Sequence, residues 1–366
     1  MGDVLGRLRW TVSIPWAAVV MLVATWGRKP NGFVLTLVAL LLAGAVLAAV
    51  HHAEVVAHRV GEPFGSLLLA VAVTVIEVGL IVTLMISGGK DTSGLARDTV
   101  FAAVMISVNG IAGLSLLVSA LRHRLAVFNP EGAGAALATV ITLATICLVL
   151  PTFTTTHPGP EFSGGQLTFA AIASLAIYAL FVFTQTVRHR DFFLPVDRDG
   201  ATLDIDGDGH ADPPEGRAAA VSGLLLVIAL VAVVGLAKVS SGAIEDAVNV
   251  VGFPKAFVGV VIALLVLLPE SIAAIRQAAA ERVQVSLNLA YGSAMASIGL
   301  TIPTIAVASI WLDGPLLLGL DPTQMVLLAT SVVVGTLTVV PGRSKVLQGG
   351  LHLMLMAAFV FLAISP

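Results

Sequence analysis

Phe64-Gly-Ser-Leu-Leu-Leu-Ala-Val-Ala-Val-Thr74-Val-Ile-Glu77-Val-Gly79-Leu-Ile-Val-Thr-Leu-Met85-Ile-Ser87 is an apolar run broken by a single carboxylate. It is long enough for a bilayer crossing, which takes about 20 residues. A charge near the middle of such a span costs at least ~2.5 kcal/mol, so an intramembrane glutamate reads as a functional residue with a partner. The chain offers a partner far downstream. Val258-Gly-Val-Val-Ile-Ala-Leu-Leu-Val-Leu-Leu-Pro269-Glu270-Ser271 is again apolar with one glutamate. These are the two carboxylates that this reading places at membrane depth, and the rest of the chain is read outward from them.

Composition sets the class. Of the 366 residues, 57% are hydrophobic and 11% charged, and mean hydropathy is +1.00. A soluble domain carries roughly 25% charged residues, so the sequence predicts an all-α polytopic membrane protein. One cysteine, Cys147, excludes an intramolecular disulfide. The N-terminal apolar stretch has no small-residue cleavage site before Arg28-Lys29 and is read as a retained helix.

Apolar runs separated by Gly, Pro and charge predict eleven spans, at 11–26, 33–50, 64–87, 99–121, 132–151, 166–187, 218–237, 256–275, 285–310, 324–340 and 346–365. Assigning alternate loops to opposite sides puts 13 basic residues on one side and 6 on the other. The positive-inside rule then sets the N-terminus in the cytoplasm and the C-terminus outside, across what would be a bacterial inner membrane.

Setting the first span apart leaves two sets of five. The predicted organisation is an N-terminal segment 1–32, a five-helix repeat 33–187, an acidic loop 188–217 and a second five-helix repeat 218–366. Each glutamate falls on the second helix of its set. The next helix of each set carries Ser-x-Asn-x-x-x-Gly: Ser107-Val-Asn109-Gly-Ile-Ala-Gly113, then Ser286-Leu-Asn288-Leu-Ala-Tyr-Gly292. Repeats with an odd number of crossings sit inverted, an arrangement that places substrate near the bilayer midplane.

Glu77, Glu270, Asn109, Asn288, Thr74, Ser107, Ser271 and Ser293 are therefore the candidate cation ligands. All offer oxygen, and oxygen-only sites suit hard cations such as Ca²⁺ rather than zinc or copper. With no cation bound, burial and mutual repulsion favour protonated carboxyls, so Ca²⁺ and H⁺ compete for one pair. Gly79, Gly110, Gly113, Gly292, Gly299 and Pro269 suit broken helices or close helix packing, and Glu270 needs a break near Pro269 or a tilt to reach the midplane.

These phrases, with Leu268-Pro269-Glu270-Ser271 and Ala290-Tyr-Gly-Ser293-Ala-Met-Ala-Ser297 the more specific, resemble the calcium/cation exchanger superfamily. They are most similar to its bacterial calcium/proton antiporter branch, the ChaA-like proteins. The resemblance spans the helical part of the chain. It implies export of Ca²⁺, with Na⁺ or K⁺ as further cargo, in exchange for H⁺ by alternating access, with Glu77 and Glu270 as the coupled sites. Val-Thr-Val-Ile before Glu77 departs from the Gly-Asn-containing signature of plant and fungal relatives.

The acidic loop holds a second calcium signal. Asp204, Asp206, Asp208, His210, Asp212 and Glu215 occupy the first, third, fifth, seventh, ninth and twelfth places of an EF-hand-type loop, with Gly209 at the sixth. Pro213 and Pro214 oppose an exiting helix, and an acidic solvated linker is the competing reading. His51, His52, Glu54 and His58 have metal-compatible spacing but read better as interfacial residues or a proton-entry path, and His352 as packed against a neighbour.

The alternatives are a Na⁺/H⁺ or Na⁺/Ca²⁺ exchanger of the same architecture, and a calcium-sensing membrane protein whose loop is the functional part. An intramembrane enzyme lacks support: no predicted span contains Asp, and there is no H-E-x-x-H or nucleotide-binding loop. The expected partners are these cations, protons and the lipid bilayer, with no resident cofactor and no nucleic acid. The reading leaves open whether the chain forms a homo-oligomer.

Overall fold

The computed structural model describes residues 2–28, 30–60, 64–88, 93–196, 216–254, 256–311 and 314–366. The fold is all-α, with ten helices among the described residues long and apolar enough to cross a membrane. A shorter apolar helix, Trp10–Thr25, precedes them. The chain divides into two compact units, each drawn from both halves of the sequence.

The first unit contains α1 (Gly2–Thr25), α2 (Gly32–Val60), α3 (Phe64–Gly88) and α9 (Gly216–Val251). Small residues let these helices approach closely. A Cβ at Gly79 of α3 would lie 2.6 Å from Val234 Cγ2 on α9, and one at Gly44 of α2 would lie 3.1 Å from Ile14 on α1. α2 and α9 run well beyond the predicted 33–50 and 218–237, because an apolar run measures a bilayer crossing whereas a helix continues into polar residues. His51, His52, Glu54 and His58 therefore sit within the C-terminal part of α2. His52 turns Nε2 to the Thr11 carbonyl of α1 at 3.0 Å.

The second unit begins with α4 (Leu95–Met105), a π turn (Ile106–Ile111) and α5 (Ala112–His123), which form one continuous span. The strand β1 (Ala126–Val127) leads to α6 (Pro130–Ala144), a second π turn (Thr145–Val149), the short α7 (Leu150–Phe153) and α8 (Gly164–Phe183). After the acidic loop come α10 (Phe257–Ala279), α11 (Val283–Gly299), α12 (Thr301–Ala308), α13 (Pro322–Val339), β2 (Arg343–Ser344) and α14 (Val346–Ile364). Local sequence sets the ends. Asn129 caps α6 through the backbone N–H groups of Glu131 and Gly132, with Pro130 in the first turn. Asp321 and Gln324 cap α13 reciprocally, as Ser163 and Gln166 cap α8.

Contacts within this unit sort its loops into two sets. On one side β1 pairs with β2, the Phe128 N–H donates to the Gly342 carbonyl, and His123 reaches the Ala279 carbonyl. On the other the Leu317 N–H donates to the Ser93 carbonyl, the Gly319 N–H to the Pro160 carbonyl, and the Arg97 guanidinium to the Gly319 carbonyl. Every one of these pairs joins loops separated by an even number of spans, as continuous membrane crossings require.

Candidate cation site

Glu77 lies mid-way along α3 with 2% of its surface exposed, and buried Thr74 precedes it by nearly one turn. Two residues on, and so on the other face of the helix, Gly79 brings α3 hard against α9. The remaining candidates belong to the second unit. Glu270 is half-buried on α10, and of the two routes to the midplane, a break near Pro269 or a tilt, the break is absent: the helix runs unbroken from Phe257 to Ala279. Proline interrupts the hydrogen-bond ladder without ending the helix here. It lacks an N–H, so the Leu265 carbonyl one turn earlier receives no intrahelical bond from position 269. Ser271, next to Glu270, donates its hydroxyl to the Leu267 carbonyl at 2.7 Å and keeps its oxygen lone pairs.

The two Ser-x-Asn motifs divide their labour. Ser286 Oγ lies 2.7 Å from the Ala274 carbonyl and 2.6 Å from Ser115 Oγ. A hydroxyl has one proton, so Ser286 donates to Ala274, one turn beyond Glu270, and accepts from Ser115 of α5. Ser293 and Ser297 recur on the Ser286 face by helical spacing. Ser107, the matching serine of the first repeat, is 0% exposed, and its hydroxyl has no hydrogen-bond partner among the described residues.

The asparagines face elsewhere. Asn109 Nδ2 donates to Ser331 Oγ of α13 at 2.8 Å, and its Oδ1 is 2.9 Å from His352 Nδ1 of α14. Asn288 Nδ2 donates to the Phe193 carbonyl at 2.7 Å, and its Oδ1 accepts from Gln284 Nε2 at 2.9 Å. Gln284 in turn accepts from the Asn129 N–H at 2.8 Å. Both carboxamides thus bond protein partners, and each Oδ1 retains a second lone pair. Residues i and i+2 of a helix point about 200° apart, so a Ser-x-Asn motif turns its two side chains to opposite faces.

Asp98, buried in the first turn of α4, is a carboxylate that the reading placed just outside its span. It pairs with Arg97 at 2.8 Å and accepts a longer bond from Gln324 Nε2 at 3.4 Å. The helix starts at Leu95, four residues before the apolar run that marked the expected boundary. Ser115, Gln284 and Ser331 find partners across the tertiary fold that sequence spacing does not signal, and the neighbours expected for His352 are Asn109 and Thr338. Among the described residues, no three or more His, Cys, Asp or Glu side chains converge as a metal cage, the His51–His58 group included. The calcium-loop candidates Asp204, Asp206, Asp208, His210, Asp212 and Glu215 lie outside the described residues.

A family model described as "sodium/calcium exchanger protein" matches residues 31–187 and 221–365, which is most of the chain. The chain belongs to the sodium/calcium exchanger family. The protein y4hA of Sinorhizobium fredii is 47% identical over 330 residues, covering 89% of this chain and 87% of that one. The sodium-potassium/proton antiporter ChaA of Escherichia coli is 33% identical over 339 residues, covering 92% and 91%. Among solved structures, that of YfkE, a Ca²⁺/H⁺ antiporter, superposes with a TM-score of 0.73 at 16% identity and covers 98% of this chain and 99% of its own. This exchanger is an integral membrane protein, of the branch that contains bacterial calcium/proton antiporters, and its relatives are transporters rather than enzymes.

Proposed function

We propose that this protein exports Ca²⁺ in exchange for H⁺, with Na⁺ and K⁺ as further cargo, by alternating access. The observation that carries the reading is Glu77: a carboxylate 2% exposed in the middle of an apolar span, matched by Glu270 on the corresponding helix of the second repeat. Such a group is held neutral or paired with a cation, and exchange of one condition for the other is cation/proton coupling. The proton is common to two relatives' names, the sodium-potassium/proton antiporter of E. coli and the Ca²⁺/H⁺ antiporter YfkE, which supports proton coupling.

Glu77 and Glu270 are the proposed cation and proton carriers. Thr74, Ser107, Ser271 and Ser293 would supply neutral oxygens, an array suited to Ca²⁺, which takes 6–8 oxygen ligands. Asn109 and Asn288 would hold the helices that carry those serines. The ions are cargo, and no resident cofactor enters the mechanism. Loop charge supports a cytoplasmic N-terminus and acidic loop, where residues 204–215 would act as a calcium sensor.

The test is flux into proteoliposomes driven by an imposed pH gradient, for Ca²⁺, Na⁺ and K⁺ separately. Gradient-dependent Ca²⁺ flux in the wild type, abolished by Glu77→Gln and by Glu270→Gln, is the expected result. Flux that survives both substitutions rejects the paired carboxylates. Monovalent flux without Ca²⁺ flux moves the assignment to a Na⁺/H⁺ or K⁺/H⁺ exchanger.

A further inference from the structure

The geometry assigns His352 a positioning role in cation binding: it anchors Asn109, and through Asn109 the π turn that presents Ser107. The inference rests on the proposed reading of Ser107 as a cation ligand.

His352 is 0% exposed on α14, a helix that approaches α5 backbone to backbone. A Cβ at Gly113 of α5 would lie 2.7 Å from His352 Cβ, and a Cβ at Gly349 of α14 would lie 2.6 Å from the Leu117 nitrogen. This contact brings the imidazole within reach of Asn109. Proton counting then fixes who donates. Ser331 donates its hydroxyl to the Leu327 carbonyl at 2.7 Å, so toward Asn109 it is an acceptor and must face the amide Nδ2. Oδ1 therefore faces the imidazole, and His352 Nδ1 carries the proton that completes the 2.9 Å bond. On the ring's other side, Nε2 lies 3.3 Å from Thr338 Oγ1 of α13. The Asn109 carboxamide is thus bonded to two helices outside its own.

It sits inside the π turn Ile106–Ile111. A π turn is a one-residue insertion with poorer hydrogen bonds than the α-helix, seen mostly at functional sites, and it persists when tertiary contacts hold it. Ser107 lies in the same turn on the opposite face, buried and without a hydrogen-bond partner among the described residues. Leaving a buried hydroxyl unmet is costly, and a bound cation would use its oxygen. If the turn relaxed to α-helix, the residues on one side of it would rotate by about 100° against the other. Ser107 would leave its face. His352 acts on the cation through that geometry and does not touch it.

The experiment compares wild type, His352→Leu and His352→Gln, each with and without Ser107→Ala, by the cation dependence of gradient-driven flux per folded protein. Loss of one neutral hydrogen bond predicts that His352→Leu raises the apparent KM about three- to tenfold with little change in Vmax. His352→Gln keeps an N–H and recovers much of the loss. With Ser107→Ala already in place, His352→Leu adds no further change, since the two act on one ligand. A lowered melting temperature with unchanged KM overturns the proposal, and so do effects that multiply in the double variant. Should His352→Leu fail to fold, Ser331→Ala removes the other Asn109 anchor and takes its place with the same expectations. If the wild type moves no cation, the exchanger reading fails by itself. Cation-dependent thermal stabilisation of the purified protein then supplies the affinity for the same cycle.

Discussion

Gly349 and Gly350 are neighbours on α14, yet alanine should have opposite effects at the two positions. A Cβ at 349 would lie 2.6 Å from the Leu117 nitrogen, 2.9 Å from Leu117 Cα and 2.9 Å from the Gly113 carbonyl oxygen, all backbone atoms that cannot rotate away. Restoring ordinary contact requires α14 to move off α5 by about 0.8 Å, and overpacking of this kind costs about 1–3 kcal/mol. A Cβ at 350 would meet nothing within 4 Å. There alanine only removes glycine's helix penalty, a gain of about 0.5–1 kcal/mol. Reversible unfolding in mixed micelles, titrated with SDS, reads the difference between the two variants directly. Function should follow: a displacement of that size carries the 2.9 Å His352–Asn109 bond past hydrogen-bonding distance. Gly349→Ala should therefore raise the cation KM, and Gly350→Ala should not. Equal stabilities, or a Gly349→Ala protein more stable than wild type, would refute the close approach of α5 and α14 and the reasoning built on it.

Ser286→Ala removes both the bond to the Ala274 carbonyl and the acceptor for Ser115, and should cost about 1–2 kcal/mol in the same unfolding assay. Adding Ser115→Ala should then cost little more, because the pair shares one bond. Asn288→Ala removes the donor to the Phe193 carbonyl and the acceptor for Gln284 Nε2, so the backbone at Phe193 loses its anchor. Limited trypsin digestion should cut at Arg188 and Arg190 several times faster than in the wild type. Asp98→Asn leaves Arg97 without its carboxylate at a part-buried position, and a loss of about 1–3 kcal/mol is expected on unfolding.

The serine–asparagine motif shows how far pattern reading reaches. Its recurrence after each glutamate helix is visible in the letters alone, and it marks helices that do meet at buried polar contacts. The letters also state that the two side chains are two residues apart, hence on opposite helix faces. Which face meets α10, and which meets α13 and α14 or the Phe193 backbone, depends on helix rotation within the bundle. That rotation is set by packing of residues such as Gly113 against Gly349, which are far apart in sequence.

By itself the sequence determined the all-α membrane class, the crossings and the two carboxylates set one in each repeat. Each follows from a local property: hydrophobic length matched to bilayer thickness, and the cost of a charge in an apolar run. Helix ends were less legible, as α2, α9 and the Asp98 turn of α4 show, because polar residues continue a helix beyond the bilayer. The tertiary structure alone decided that α10 runs unbroken through Pro269, that a π turn holds Ser107 and Asn109, and that His352 closes on Asn109. The last two involve hydrogen bonds from Asn109 to residues up to 243 positions away, and no local pattern encodes them.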